Sequence, residues 1–182
     1  MEGAENQDMQ SFEDLEHWYH QADPWGYESN PDDHKRVEML LSELPSGRYR
    51  RVLDIGCGEG FVTRKLPGEE VVGIDVSRSA VDRARQHESH RLKFMQCSLF
   101  DAATLPGVPF DLVIITGVLY DQYIGRSLPM IYRIVDDLLA DDGILVSIHI
   151  DTWYRARFPY LMLKECFYPY REYVHRLEVY GK

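Results

Sequence analysis

The sequence predicts an α/β fold, a doubly wound and mainly parallel sheet with an antiparallel C-terminal edge strand. Three observations carry this reading. From Arg51 onward, short apolar runs alternate with helical segments. Runs such as Leu112 to Ile115 are apolar on both faces and need cover on both sides, as a parallel sheet between helix layers has. Right-handed crossovers then leave a ligand crevice outside the carboxyl ends of the strands.

Residues 1 to about 8 read as a disordered tail, and a weakly amphipathic helix is expected over Phe12 to Gln21, ending before Asp23-Pro24. Asn30 caps a second helix, Pro31 suits its first position, and Asp32 and Asp33 complement its dipole. Val37, Leu40, Leu41 and Leu44 recur at i, i+3, i+4, i+7 as its buried face, and Pro45-Ser46-Gly47 ends it. Strands are expected at Arg51–Ile55, Glu70–Ile74, Leu92–Cys97, Phe110–Thr116 and Gly143–Ile150. Helices are expected near Gly60–Leu66, Arg78–His87 and Ser127–Ala140, the last with Ile131, Ile134, Val135, Leu138 and Leu139 on one face. Ser98 to Pro109 reads as irregular. Tyr173 to Tyr180 alternates like an antiparallel edge strand; the pattern at Lys164 to Tyr170 does not decide whether another strand precedes it.

All 182 residues fit one domain: a tail and lid segment over 1–30, a ligand-binding core over 31–150, and a short acceptor and edge region over 151–182. A net charge of -10 disfavours nucleic acid as a partner. Cys57, Cys97 and Cys166 are widely spaced with no C-x-x-C pair, which argues against a disulfide scaffold or structural zinc. The N-terminal stretch is acidic and polar, unlike a signal peptide, and no apolar run approaches the ~20 residues that cross a bilayer. A cytoplasmic protein without membrane contact is expected.

The most informative stretch is Val52 to Gly60, VLDIGCGEG, where a buried strand runs into three spaced glycines. Glycine permits the sharp turn and lets a ligand approach the backbone. A dinucleotide fingerprint would need glycine where Phe61 stands, and no phosphate-cradling G-x-x-x-x-G-K-[ST] occurs. What remains is D-x-G-x-G-x-G, with Asp54 on the strand and Gly56, Cys57 and Gly58 in the loop. Nineteen residues after Gly56 the second strand ends at Asp75-Val76, where a carboxylate can accept two ribose hydroxyls.

These motifs resemble the class I S-adenosylmethionine (SAM)-dependent methyltransferases, over about Val52 to Ile150. The resemblance implies a Rossmann-like fold and SAM as cofactor. The glycine loop would pass beside the methionine and ribose, with Asp54 helping to fix the ammonium group and Asp75 the ribose. Ser98-Leu99 falls where the family holds the adenine, often with an acidic residue at the position of Ser98; Asp101 is the alternative. Gly117, after the fourth strand, falls in the segment that closes over the cofactor. The D-P-W-x-Y run Asp23 to Tyr27 and the approach Leu44 to Arg51 are similar to the nodulation S group of N-methyltransferases, which act on an amine of a chitooligosaccharide.

SAM brings its own electrophile, so the enzyme's main task is to place a small polar acceptor in line with it. An amine, an amino sugar's among them, ranks slightly ahead of a hydroxyl. Trp25 and Tyr27 suit stacking on a sugar or anchoring a lid, with Tyr19 and His20 at the same mouth. Tyr120 and Asp121 follow the fourth strand on the cofactor side as candidate acceptor contacts. His149 ends the fifth strand, and Asp151 two residues on could orient it as a base; a paired structural histidine is the alternative, and no metal site is expected. The aromatic stretch from Trp153 to Tyr173 could line an acceptor pocket, pack under the sheet, or form a homodimer or partner face. A non-catalytic partner subunit and a nicotinamide-dependent oxidoreductase are the rival readings.

Overall fold

A computed structural model describes residues 10–182. The tail expected over residues 1 to about 8 lies outside them. A seven-stranded sheet runs β3-β2-β1-β4-β5-β7-β6, with β1 Arg51–Ile55, β2 Glu70–Asp75, β3 Leu92–Gln96, β4 Phe110–Thr116, β5 Leu139–Ile150, β6 Leu161–Tyr170 and β7 Tyr173–Gly181. The first five strands are parallel, and β7 pairs antiparallel with both β5 and β6. The chain therefore has the α/β, mainly parallel architecture the alternation predicts. The pattern left open at Lys164 to Tyr170 is a strand, β6, and it occupies the edge. Tyr173 to Tyr180 lies one place inside it.

Helices α1 Phe12–Trp18, α2 Pro31–Glu43, α3 Arg78–Ala84, α4 Asp121–Ile124 and α5 Leu128–Leu138 accompany the sheet. Asn30 accepts from the Asp32 amide to cap α2, and Ser77 accepts from the Ala80 amide to cap α3. The buried side of α2 is Asp33, Arg36, Val37 and Leu40, whereas Leu41 is exposed. The helix expected over Gly60–Leu66 is only a 3-10 turn, Thr63–Lys65. Pro67 explains this: Leu66 is held extended (ψ 142°), as residues before proline usually are. Another 3-10 segment, Leu99–Thr104, occupies part of the stretch that reads as irregular.

The core has two faces. Residues of α2 and α3 join Val52, Leu112, Ile114, Val146 and Val179 on one side of the sheet. On the other, α5 packs on Leu53, Val113, Ile115 and Leu145. Residues 151–160 link β5 to β6 without a helix. Tyr154 and Phe158 fill this side of the sheet instead, with Phe158 packing edge-on against Tyr180. Arg176 pins the link through Asp151 Oδ1 (2.8 Å) and the Tyr154 carbonyl (2.9 Å). Tyr154, Phe158, Tyr168 and Tyr170 are thus core residues, leaving Trp153 and Phe167 as the exposed large aromatics of this region. Among the described residues no helix is long and apolar enough to cross a membrane.

Candidate active site

The strand ends frame a cavity of about 620 Å³, a size typical of small-molecule sites. Its floor follows the strand order, with Cys97 after β3, Asp75 of β2, Ile55 of β1 and Gly56 just after it, Thr116 of β4, Ile150 of β5, and Tyr173 and His175 of β7.

The glycine loop is stitched to β2. The Gly56 and Cys57 amides both donate to the Ile74 carbonyl, at 2.8 and 2.9 Å. Asp75 Oδ2 accepts from the Gly58 amide at 2.8 Å, and its Oδ1 from the Ser77 amide at 2.9 Å. Burial raises the Asp75 carboxyl above its usual range, against these hydrogen bonds. Gly56 has φ 75°, and a Cβ there would overlap Val118 Cγ2. A side chain at Gly58 (φ 53°) would meet the Tyr19 hydroxyl at 2.9 Å. These glycines therefore serve close approach as well as the turn.

Asp54 lies behind the loop, 1% exposed. The Thr63 hydroxyl donates to its Oδ2 at 2.6 Å, while Oδ1 has no partner among the described residues. Burial pushes the carboxyl up to about 7. An orphaned buried oxygen beside a positive-φ glycine loop, with the Asp75 carboxylate in the cavity wall, fits an ammonium-bearing, ribose-bearing ligand. Val76 and Leu99 add apolar surface at the β2–β3 end. Ser98 lines the cavity there and caps the Leu99–Thr104 segment by accepting from the Phe100 amide at 3.2 Å; Asp101 is exposed and off the wall. Gly117 lines it at the β4 end (φ 68°).

A strap from Gln10 to Tyr27 roofs the cavity and contributes Tyr19, Trp25 and Tyr27 to its wall. Trp18 and Trp25 stack at 5.3 Å with planes 6° apart. The latches are polar. The Gln10 amide donates to the Gln122 carbonyl, Glu16 accepts from the Ser79 amide, and Arg83 reaches the Tyr19 and Gln21 carbonyls. Glu59 accepts from both Arg83 Nε (2.7 Å) and the Asp23 amide (3.0 Å). His20 lies on the strap but is exposed and is not part of the wall.

At the other end stand Tyr120, Trp153 and Tyr173, edge to face in a row. The Tyr120 hydroxyl accepts from the Ile150 amide at 3.0 Å, so its own proton remains available to the cavity. Asp121 is exposed and off the wall. His149 differs from the expected base with a carboxylate orienter. It is 1% exposed and outside the cavity wall, and its Nε2 accepts from the Val118 and Leu119 amides at 3.3 and 3.1 Å. Nδ1 faces Ser147 Oγ at 3.1 Å, and Asp151 is taken by Arg176. Burial first, then the neighbouring His175 and the Arg176 guanidinium, holds the His149 imidazole well below its usual pKa. The arrangement is that of a neutral histidine anchoring the loop after β4.

Three wall residues escape the sequence reading. Arg36 of α2 is buried, faces Asp33 at 3.1 Å, and has an unpartnered Nε. Arg171, at the tip of the β6–β7 hairpin, donates to Asp33 Oδ2 and to the Trp25 carbonyl, both at 2.7 Å. His175 stacks on Tyr170 at 3.7 Å, and burial with the nearby guanidinium charges holds its pKa down to about 3. The signal for Arg36 is present in the sequence. Asp33, Arg36, Val37 and Leu40 recur at i, i+3, i+4, i+7, placing two charges on an apolar face.

Comparison with known proteins agrees with this geometry. A family described as a methyltransferase domain matches residues 48–177. Nodulation protein S of Rhizobium tropici is 35% identical over 112 residues, covering 57% of this chain and 44% of the relative. Malonyl-[acyl-carrier protein] O-methyltransferase of Legionella pneumophila is 29% identical over 136 residues, covering 66% and 46%. The matches span about half the length of these relatives. The crystal structure of the N-methyltransferase NodS from Bradyrhizobium japonicum WM9 with S-adenosyl-l-homocysteine superposes with a TM-score of 0.78 at 23% identity, covering 94% of this chain and 97% of that one. The chain belongs to the methyltransferase-domain family and has the class I SAM-dependent methyltransferase fold.

Proposed function

We propose that this protein binds SAM over the β3-β2-β1-β4 half of the cavity and transfers its methyl group to a small polar acceptor in the β5-β7 half. The observation that carries the reading is the buried pair of carboxylates around the glycine loop. Asp75 stands in the wall for a ribose, and Asp54 Oδ1 is unpartnered for an ammonium group or a water that relays to one. When bound, SAM supplies an electrophilic methyl on a sulfonium. The protein's part is placement: Gly56 and Gly117 let the backbone lie against the cofactor, Gly58 admits the Tyr19 ring over the loop, Ser98, Leu99 and Val76 flank the cofactor's base, and the strap excludes water.

An amine is the favoured acceptor group, on an amino sugar before other amines, and a hydroxyl or carboxylate oxygen ranks next. The likeness to nodulation protein S supports nitrogen, and that to malonyl-[acyl-carrier protein] O-methyltransferase supports oxygen. Tyr120 is assigned the acceptor as a hydrogen-bond donor, with Trp25 and Tyr27 stacking on it. A nitrogen acceptor enters as the free amine, because a histidine held near pKa 3 is a weak proton acceptor at neutral pH.

The test is calorimetric titration with SAM and, separately, NAD, followed by an amine panel led by glucosamine and read out as S-adenosylhomocysteine formation. Saturable SAM binding with turnover is expected. A folded sample that binds no SAM would overturn the proposal and favour a partner subunit.

A further inference from the structure

His149 and His175 lie on neighbouring strands, β5 and β7, and hydrogen bonding fixes them in opposite tautomers. His149 accepts two amides at Nε2, so the proton of the neutral ring is on Nδ1, and the residue lies outside the cavity wall. His175 pairs at Nδ1 with the Tyr168 hydroxyl, 3.2 Å away. That hydroxyl has no other partner among the described residues, and Tyr168 is buried outside the cavity wall. Its single proton is satisfied only by donation to Nδ1, which places the His175 proton on Nε2. Nε2 is bonded to no described residue, although His175 is 4% exposed and lines the cavity. A buried N–H is therefore presented to the cavity without a partner among the described residues.

The ring is held in place. It stacks on Tyr170 with planes 15° apart, and Tyr168 meets it edge-on at 5.6 Å. Burial, with the Arg36 and Arg171 guanidiniums nearby, keeps it neutral. Those charges are balanced: Asp33 takes both guanidiniums and Asp32 accepts from the Arg171 amide, so two carboxylates face two cations. A neutral donor in balanced surroundings suits an uncharged hydrogen-bond acceptor. A carbonyl oxygen accepts without bringing a proton of its own, whereas a hydroxyl brings one that needs an acceptor in turn. Glu172, the wall carboxylate on this side, is exposed to solvent. In the strand order β7 lies two neighbours from β4, roughly 10 Å at ~4.8 Å per strand. A group seated on His175 is thus well separated from a methyl delivered at the β4 end.

We propose that His175 is an acceptor-binding residue, whose Nε2–H, fixed by Tyr168, donates to a neutral carbonyl oxygen of the acceptor remote from the nitrogen that is methylated. This rests on the methyltransferase reading above and narrows its substrate class to amines that also carry an amide or similar uncharged carbonyl.

The experiment titrates matched amines into the full chain saturated with S-adenosylhomocysteine: 4-aminobenzamide against 4-methylaniline, and 4-(aminomethyl)benzamide against 4-methylbenzylamine. Each pair differs in whether a carbonyl stands across the ring from the amine. At least one carbonyl member is expected to bind saturably and about tenfold tighter than its partner, which leaves a buried N–H unsatisfied. His175→Phe keeps a ring against Tyr170 and removes the donor, so it should erase the preference. His175→Gln keeps an N–H and should retain part of it. S-adenosylhomocysteine affinity should not change in either, with circular dichroism as a check on folding. Heteronuclear NMR of the ring nitrogens in the unmodified chain reads the tautomer without any substitution, and a proton on Nε2 of His175 is expected. A proton on Nδ1 would overturn the proposal. So would equal or absent binding within both pairs, or a preference that survives His175→Phe in the folded protein. A loss of S-adenosylhomocysteine affinity in His175→Phe would overturn it as well, by assigning the residue to the cofactor. Absence of S-adenosylhomocysteine binding by the unmodified chain is a separate result that removes the methyltransferase reading itself, while the tautomer still tests the donor.

Discussion

The Thr63 hydroxyl donates to Asp54 Oδ2 at 2.6 Å and leaves Oδ1 buried with no partner among the described residues. One oxygen is thus satisfied by the fold, and the other is left buried without a described protein partner. Burial pushes this carboxyl up to about 7, so without ligand the folded protein binds a proton that the unfolded chain, with a carboxyl near 3.8, releases. Stability from this group is present below pH 3.8 and is lost as pH rises through about 7. Asp54→Asn should flatten that slope in urea unfolding curves at pH 4 to 8. It should stabilise the ligand-free protein at pH 8, by no more than about 4 kcal/mol, and weaken SAM binding. An unchanged slope would show that Asp54 keeps an ordinary carboxyl.

Asp75→Ala removes a carboxylate that both faces the cavity and accepts from the Gly58 amide. Loss of charge-assisted hydrogen bonds should cost about 1.5–3 kcal/mol of SAM affinity, measured by calorimetry. Asp75→Asn keeps one acceptor oxygen for the loop and should restore stability more than affinity. Unchanged affinity in both variants would remove Asp75 from the ribose.

Gly56→Ala should destabilise the fold by about 1–3 kcal/mol, because it forces a Cβ into a left-handed backbone and onto Val118. Adding Val118→Ala relieves the second cause alone. A double-mutant cycle by chemical denaturation should therefore show a favourable coupling. Strict additivity would mean that the loop shifts to avoid the contact.

His149→Ala leaves the Val118 and Leu119 amides without their acceptor, which should cost about 1–3 kcal/mol of stability. The native imidazole is held well below its usual pKa, so the unfolded chain takes up the proton first as pH falls below 6.5. This contribution to stability is present above pH 6.5 and declines in acid, and the variant should lose that part of the acid sensitivity. The activity of the native enzyme should show no inflection from His149 near pH 6.5. A single such inflection abolished by His149→Ala would restore it as a base.

The glycine-loop side of the cavity was legible in the sequence because its residues are consecutive. Strand, glycine loop and strand-end aspartate are each a local pattern with a local physical cause. The opposite side is assembled from α2, the strap and the β6–β7 hairpin, and no spacing rule joins Arg36 to Arg171. His149 and Asp151 illustrate the same limit. Period-two alternation puts them on one face, but the partner strand supplies Arg176, and the carboxylate turns to it. The expected helix after Gly60 failed for a local reason, Pro67, which the sequence did contain.

Asp33 meets Tyr170 and Arg171 across 137 and 138 positions of chain. Closing so large a loop is entropically costly, and the contact yields nothing until β7 has docked on β5. Formation of the cavity should therefore be staged. The β1–β2 side, built from neighbouring segments, can order first, and the wall made by α2 and the β6–β7 hairpin forms only when distant parts of the chain are locked together. With the acceptor seated on that wall as proposed, selectivity becomes a late product of folding and the first property lost when the hairpin loosens.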